Sequence, residues 1–268
     1  MAGISSKEEN FIATLGEKSI RVFTVDQATE LFDISKPQLN KLVHNLVKKH
    51  KLQRIERGKY LVIPPVAWRT GRFTEEGIVI ASYLVEPYYI AYWTALDFYG
   101  WTEQPSRTVF IASTKLKRPT ELQGTKFKFI KLRPERFFGY EEHWVGNQKI
   151  RVSDKEKTIV DCFDQPRYCG EIVEAAKGIW NGRKEIDFEK ALKYALRLKN
   201  GAVIKRLGYL MDVLGIEKPA LRKNLKKHIG YGYRNLDPHG TTTGSEVNKE
   251  WRLRINVNPK NITEWITH

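Results

Sequence analysis

The sequence predicts an α+β chain in two parts, a small helical domain closed by a basic hairpin and a larger mixed α/β domain after it. Three observations predict this. Between residues 37 and 50, Leu39, Leu42, Val43, Leu46 and Val47 recur at i, i+3, i+4, i+7 and i+8, the spacing of one buried helix face. Two short apolar runs follow, Leu52 to Ile55 and Tyr60 to Ile63, joined by Glu56-Arg57-Gly58-Lys59, where Gly58 permits a tight turn. After Pro64-Pro65, short alternating or β-branched runs mix with longer helical patterns, and helices outnumber strands. A chain of 268 residues, 41% of them hydrophobic, can bury the cores of two domains.

The first elements follow in order. Ser6 to Leu15 has helical character, with Ser6 as cap, Glu9 three residues on and Phe11, Ile12 and Leu15 as the apolar stripe. Ile20 to Phe23 alternates as a short strand would. Thr24 caps a helix to about Phe32, with Gln27 at the capping-box position and Val25, Ala28, Leu31 and Phe32 on one face. Asp33-Ile34-Ser35 is a tight connection into the next helix, which Ser35 caps and Pro37 suits in its first turn. Two helices joined by about three residues, the second polar outward, form the helix-turn-helix pattern, and the hairpin makes it a winged helix-turn-helix.

The outward face of that second helix carries Gln38, Lys41, Asn45 and Lys48, flanked by Asn40 and His44. Lys, Asn and Gln reach base edges and phosphates, so Gln38, Lys41 and Asn45 are the expected base readers, with Asn40 and His44 beside them. Lys36, Lys48, Arg54, Arg57 and Lys59 are expected to meet phosphates or enter a minor groove, and Ser35 is counted with the DNA-binding residues. From Ser35 to Tyr60 there are eight Lys or Arg against one acid, Glu56. The expected organisation is a winged-helix domain at 1–63, a linker at 64–74 around Pro64-Pro65, and an α+β domain at 75–268.

In the second part, Glu76 to Val85 and Ile90 to Tyr99 read as helices, the latter ended by Gly100. The aromatic stretch of Tyr88, Tyr89, Tyr92, Trp93, Tyr99 and Trp101 lacks interleaved basic residues and reads as core. Thr108 to Ala112 and Lys126 to Phe129 suggest strands, and Gly146-Asn147-Gln148 a hairpin between Trp144-Val145 and Lys149 to Val152. The lysines at 115, 117, 126, 128 and 131 read as the wet face of an antiparallel sheet. Ser153 to Glu156 reads as a capping box opening a helix to Phe163, and a turn over 165–170 precedes a helix from Glu171 to Trp180. Phe188 to Leu198, Ala202 to Leu214 and Pro219 to Ile229 are helical patterns, residues 240–244 are irregular, and Trp251 to Val257 suggests a last strand.

Charge and composition narrow the function. The formal net charge of +15 calls for a polyanionic partner. No apolar run approaches the eighteen or so residues of a membrane span and no signal-peptide core stands at the start, so a cytoplasmic protein is expected. Cys162 and Cys169 read as ordinary reduced thiols. Asp154, Glu156, Asp161 and Asp164 invite a two-metal site, yet capping accounts for the first two, and Asp161 and Asp164 each fall on a different helix face from the other's i+4 partner. The six histidines show no metal-binding spacing, and no nucleotide-binding glycine loop or nucleophile elbow is present. No catalytic residue, metal ligand or cofactor is assigned. The rival from another class is a nucleic-acid-processing enzyme, a metal-dependent nuclease or nucleotidyltransferase with a winged-helix targeting domain. A third is a protein-interaction module with incidental basicity.

Three stretches also carry a family likeness: Arg57 to Val62 at the wing, Tyr92 to Trp101 with Ala95-Leu96 and Gly100-Trp101, and Val152 to Gly170, VSDKEKTIVDCFDQPRYCG. In these the chain resembles the AbiEi antitoxins, transcriptional regulators of bicistronic abortive-infection toxin–antitoxin systems. The third stretch is similar to the family's Glu-Lys-Thr, two apolar residues, Asp, then Arg-Tyr-x-Gly signature. The family usually has a second glycine after Gly170, where this chain has Glu171. The resemblance implies an autoregulating repressor that binds operator inverted repeats in double-stranded DNA, as a monomer in solution or pairing on DNA. It further implies a C-terminal domain that counters a nucleotidyltransferase-like toxin.

Overall fold

Capping chemistry sets the start of the fold. In the computed structural model, which describes residues 3–68, 76–104, 106–122, 124–241 and 245–267, α1 (Ser6–Glu17) opens from Ser5. The Glu8 carboxylate accepts the Ser5 amide at 2.6 Å, and the Ser5 hydroxyl accepts the Glu8 amide. This cap lies one residue before the expected Ser6–Glu9 pair because Glu8, not Glu9, turns inward to hold Lys49 at 2.7 Å. β1 (Val22–Thr24) leads into α2 (Val25–Phe32), opened by the expected Thr24–Gln27 box. Asp33 takes a left-handed turn at φ 48°, and α3 (Lys36–Lys48) starts two residues after Ile34. β2 (Leu52–Glu56) and β3 (Lys59–Val62) pair antiparallel around Arg57-Gly58, with Gly58 at φ 74°. β1 adds to β3, so the small sheet runs β1-β3-β2. The order α1-β1-α2-α3-β2-β3 is compatible with a winged helix.

Residues Met1–Glu76 form one compact unit and Gly77–His268 another. The core of the first is Phe11, Leu15, Phe23, Ala28, Leu39, Val43, Leu46 and Leu52. Burying a Leu or Phe side chain contributes roughly 1.5–3 kcal/mol, so this unit is held mainly by the inward faces of α1 and α3. Residues 69–74 of the expected linker and residue 75 after it lie outside the described residues, as do 242–244 of the expected irregular stretch.

In the second unit α4 (Gly77–Ala81) is shorter than the expected 76–85 helix. Ser82, Tyr83 and Leu84 bond back three residues, which tightens and ends it. The helix expected from Ile90 also starts later. Tyr89–Ile90 form β4, where Ile90 pairs with both Ile111 and Val152, and α5 (Tyr92–Phe98) follows. Central pairing outweighs helical periodicity there. α5 ends as expected at Gly100, φ 69°, with the Trp101 amide donating to the Leu96 carbonyl at 2.8 Å. Tyr88, Tyr89, Tyr92 and Trp101 are core.

β5 (Thr108–Ser113), β6 (Thr120–Leu122), β7 (Thr125–Lys131), β8 (Tyr140–Val145) and β9 (Gln148–Ser153) complete a sheet ordered β6-β7-β5-β4-β9-β8. Its β5–β7 and β4–β9 pairs are parallel, so the sheet is mixed and not the expected antiparallel one. A period-two pattern tells which face is wet, not which way the neighbouring strand runs. Lys126, Lys128 and Lys131 do stand exposed on β7, with Phe127 and Ile130 buried between them.

α6 (Lys155–Asp164) is buried from Glu156 onward and packs against α5 and against α7 (Glu171–Gly182), α8 (Phe188–Arg197) and α9 (Gly201–Val213). Its cap is Asp154, accepting the Lys157 amide at 2.8 Å, and not Ser153. Ser153 is still in β9, with its hydroxyl 2.7 Å from that of Thr158. Glu171 sits at φ 64°, a left-handed conformation that glycine adopts freely. Cys162 and Cys169 are free and buried. α10 (Pro219–Lys227), α11 (Pro259–Thr263) and a three-stranded sheet of β10 (Arg234–Asn235), β12 (Leu253–Ile255) and β11 (Glu246–Asn248) close the unit. The molecule is thus mixed α+β.

Candidate nucleic-acid interface

α3 owes its two faces to its spacing. Leu39, Val43 and Leu46 are buried, with Leu42 and Val47 half-buried at the edges of that stripe. The polar residues are left outward: Lys36, Gln38, Asn40, Lys41, His44 and Lys48 are exposed or at the rim, and Asn45 is half-buried. Gln38, Lys41 and Asn45 line one side of a groove of about 520 Å³, whose other side is Lys7, Asn10 and Phe11 of α1. Lys36 and Asn40 lie on the opposite flank of the helix.

The cap uses part of this surface. The Gln38 side-chain oxygen lies 3.3 Å from the Ser35 amide and 3.1 Å from its hydroxyl, both donating to it. Reading adenine bidentately needs both ends of the carboxamide. Gln38 therefore has only its amide nitrogen free, and Ser35 is committed to Gln38. Lys36 meets Asp26 at 2.7 Å, a hydrogen bond and attraction that raise its pKa, although both side chains are widely exposed.

The hairpin places the remaining cations. Arg57 is exposed at the turn, and Arg54 is exposed with its Nε donating to the Glu56 carbonyl at 3.2 Å. Lys59 is half-buried, 4.0 Å from Glu56. The Val25 amide donates to the Gly58 carbonyl at 2.9 Å, which ties the turn to the start of α2. Among the described residues, Lys41, Lys48, Arg54 and Arg57 make no ion pair. The eight basic residues of this stretch do not all face outward. Lys49 is taken by Glu8, and Lys51 is buried with its ammonium 4.1 Å from the Trp68 ring centre. Nothing in the spacing foretells either contact, nor the contribution of Lys7 and Asn10, because each depends on how α1 docks.

Burial raises the Glu8 carboxyl, but its hydrogen bonds with Lys49 and Ser5 and the Lys49 charge outweigh that and hold it below the ordinary value of 4.5. Elsewhere, the four carboxylates that invited a metal reading are engaged. Asp154 caps α6 and accepts the Tyr194 hydroxyl at 2.8 Å, while Glu156 meets Lys190 at 2.8 Å and the Asp187 amide at 2.9 Å. Asp161 pairs with Lys157 and accepts the Tyr89 hydroxyl at 3.0 Å. Asp164 holds Arg136 at 3.1 Å and Asn200 at 2.7 Å. Among the described residues no group of three or more His, Cys, Asp or Glu could hold a metal ion, and no helix is long and apolar enough to cross a membrane.

No family model matches the sequence, and no curated protein matches it. Among solved structures the chain is similar to the crystal structure of the Rv2827c protein from Mycobacterium tuberculosis. The TM-score is 0.71 at 14% identity, over 100% of this chain and 97% of that one. At that identity the likeness speaks for the fold alone.

Proposed function

We propose that this chain is a cytoplasmic, sequence-specific repressor whose N-terminal unit is a winged helix that binds double-stranded DNA, and that it is an antitoxin of the AbiEi kind. The observation that carries this reading is the surface of α3. Its apolar face is buried while the opposite face presents Lys41, Lys48, Asn40 and His44, with Arg57 exposed at the tip of the adjoining hairpin. A helix about 10–12 Å across fits a major groove, where Lys41 and Asn45 would read base edges. Lys36, Lys48, Arg54, Arg57 and Lys59 would release counterions from phosphates and supply most of the affinity. Repression follows from occupancy of inverted repeats at its own promoter, each half-site taking one copy. The C-terminal unit would counter a nucleotidyltransferase-like toxin encoded in the same operon, a role that rests on the resemblance of Val152 to Gly170.

A promoter–reporter fusion tests the repressor reading. The native chain is expected to lower expression from the DNA upstream of its own reading frame, and the variant carrying Lys41→Ala with Asn45→Ala is expected to release it. Equal reporter output with native chain, variant and empty vector would refute it.

A further inference from the structure

A second cationic surface lies wholly within the C-terminal unit. The end of β7 and the segment after it face the end of α6 and the turn beyond, and between them is a cleft of about 430 Å³. Lys131, Arg133 and Arg167 line it with exposed side chains. Lys128 stands at its edge, its ammonium 4.8 Å from the Tyr168 ring centre, and the Arg167 guanidinium lies 4.6 Å from the same ring. The carboxylate in the lining is Asp164, and both of its oxygens are taken, one by Arg136 and the other by Asn200. Arg136 is fixed further by the Leu198 carbonyl at 3.0 Å. Among the described residues, Lys128, Lys131, Arg133 and Arg167 make no ion pair; the carboxyl that the Arg167 charge acts on is Glu171, at the start of α7.

Like charges gathered this way oppose folding. The backbone under them is strained as well. Tyr92, fully buried in the floor of the cleft with its ring 5.2 Å from that of Tyr168, sits at φ 56°, a conformation unfavourable for a bulky side chain. Such strain gathers at ligand sites. The volume falls in the range of small-ligand sites, roughly 300–1,000 Å³, and the cleft joins aromatic surface from Tyr168 and Phe129 to a basic rim. A triphosphate brings about four negative charges, and planar guanidinium groups such as Arg133 and Arg167 hold phosphate oxygens in pairs.

We propose that the cleft between β7 and the α6–α7 turn binds a nucleoside polyphosphate, with Lys131, Arg133 and Arg167 on the phosphates and Tyr168 beside the base. This site is separate from the α3 surface and does not depend on the repressor reading.

Calorimetric titration of the full-length chain tests it, with ATP, GTP, CTP, UTP and inorganic triphosphate as separate titrants. The variant is Lys131→Ala with Arg167→Ala, both exposed positions, so its melting temperature and duplex binding serve as controls. At least one nucleotide is expected to bind, inorganic triphosphate to compete with it, and the double variant to weaken binding tenfold or more with both controls unchanged. A 5′-triphosphorylated RNA oligonucleotide separates the two sources of that group. Loss in the variant for free nucleotides alone assigns a free ligand, and loss for the oligonucleotide assigns a chain end. No binding of any triphosphate at millimolar concentration overturns the proposal. So does equal binding by the variant, or displacement by poly-glutamate as effective as that by triphosphate.

Discussion

Lys41, Asn45 and Arg57 carry different parts of the proposed DNA interface, and their substitutions should separate. Replacing Lys41 and Asn45 by alanine is expected to remove about 1–3 kcal/mol of discrimination for each base edge no longer read, at constant salt. Arg57→Ala is expected to weaken all duplexes by a similar factor and flatten the salt slope by about one. Binding isotherms on operator and shuffled duplexes at several salt concentrations check both, and equal losses on both duplexes in every variant would contradict the division. Gln38→Ala should behave differently again. It removes a cap as well as a polar group, so it should cost roughly 1 kcal/mol of stability besides any affinity. The outward residues of α3 were legible from helical spacing alone. The Ser35–Gln38 box has the same local spacing as Thr24–Gln27, so the cap that takes the Gln38 oxygen was legible as well, although Gln38 was assigned to base readout. The half-burial of Asn45 and the internal engagement of Lys49 and Lys51 were not, since each is decided by side-chain geometry or by a residue far along the chain.

The Glu8–Lys49 pair joins α1 to the end of α3 and makes one element's stability depend on pH. Glu8 titrates below 4.5 in the folded chain, so its contribution is complete above that value and is lost as pH falls through the lower folded value. Thermal melts between pH 7 and pH 3 should show the N-terminal unit losing stability over that acid range. Glu8→Gln should flatten the loss and cost about 1–3 kcal/mol at neutral pH. An unchanged pH profile in Glu8→Gln would exclude the pair as its cause. Within α6, the Lys157 ammonium is fully buried between Asp161 and the Tyr89 hydroxyl, at 3.0 Å from the latter. Lys157→Met should cost about 3–5 kcal/mol by stranding Asp161, and adding Asp161→Leu should restore part of it. Denaturant titration of the three chains tests this; a single-variant loss under about 1 kcal/mol would contradict it. The caps at Thr24 and Gly100 could be read from the sequence because capping is local. The strand at Ile90 and the parallel pairs could not, because partners far along the chain, Ile111 and Val152, decide them.

At the scale of the whole molecule, two basic surfaces stand out, one in each unit: that around α3 and its hairpin, and that around the cleft beside β7. The first is the proposed DNA surface; the second is the proposed nucleotide site. The mixed α+β architecture itself came from the alternation of strand and helix patterns, and the fold likeness to Rv2827c extends over the full chain at an identity too low to carry function. The most direct measurement is equilibrium fluorescence anisotropy with two labelled duplexes, one from immediately upstream of the reading frame and one a shuffled sequence of equal length, titrated over a range of salt. The account predicts tighter binding to the upstream duplex, a preference that persists as salt rises, and its disappearance in the Lys41→Ala, Asn45→Ala chain. Indistinguishable isotherms for the two duplexes, or binding that does not weaken with salt, would contradict it.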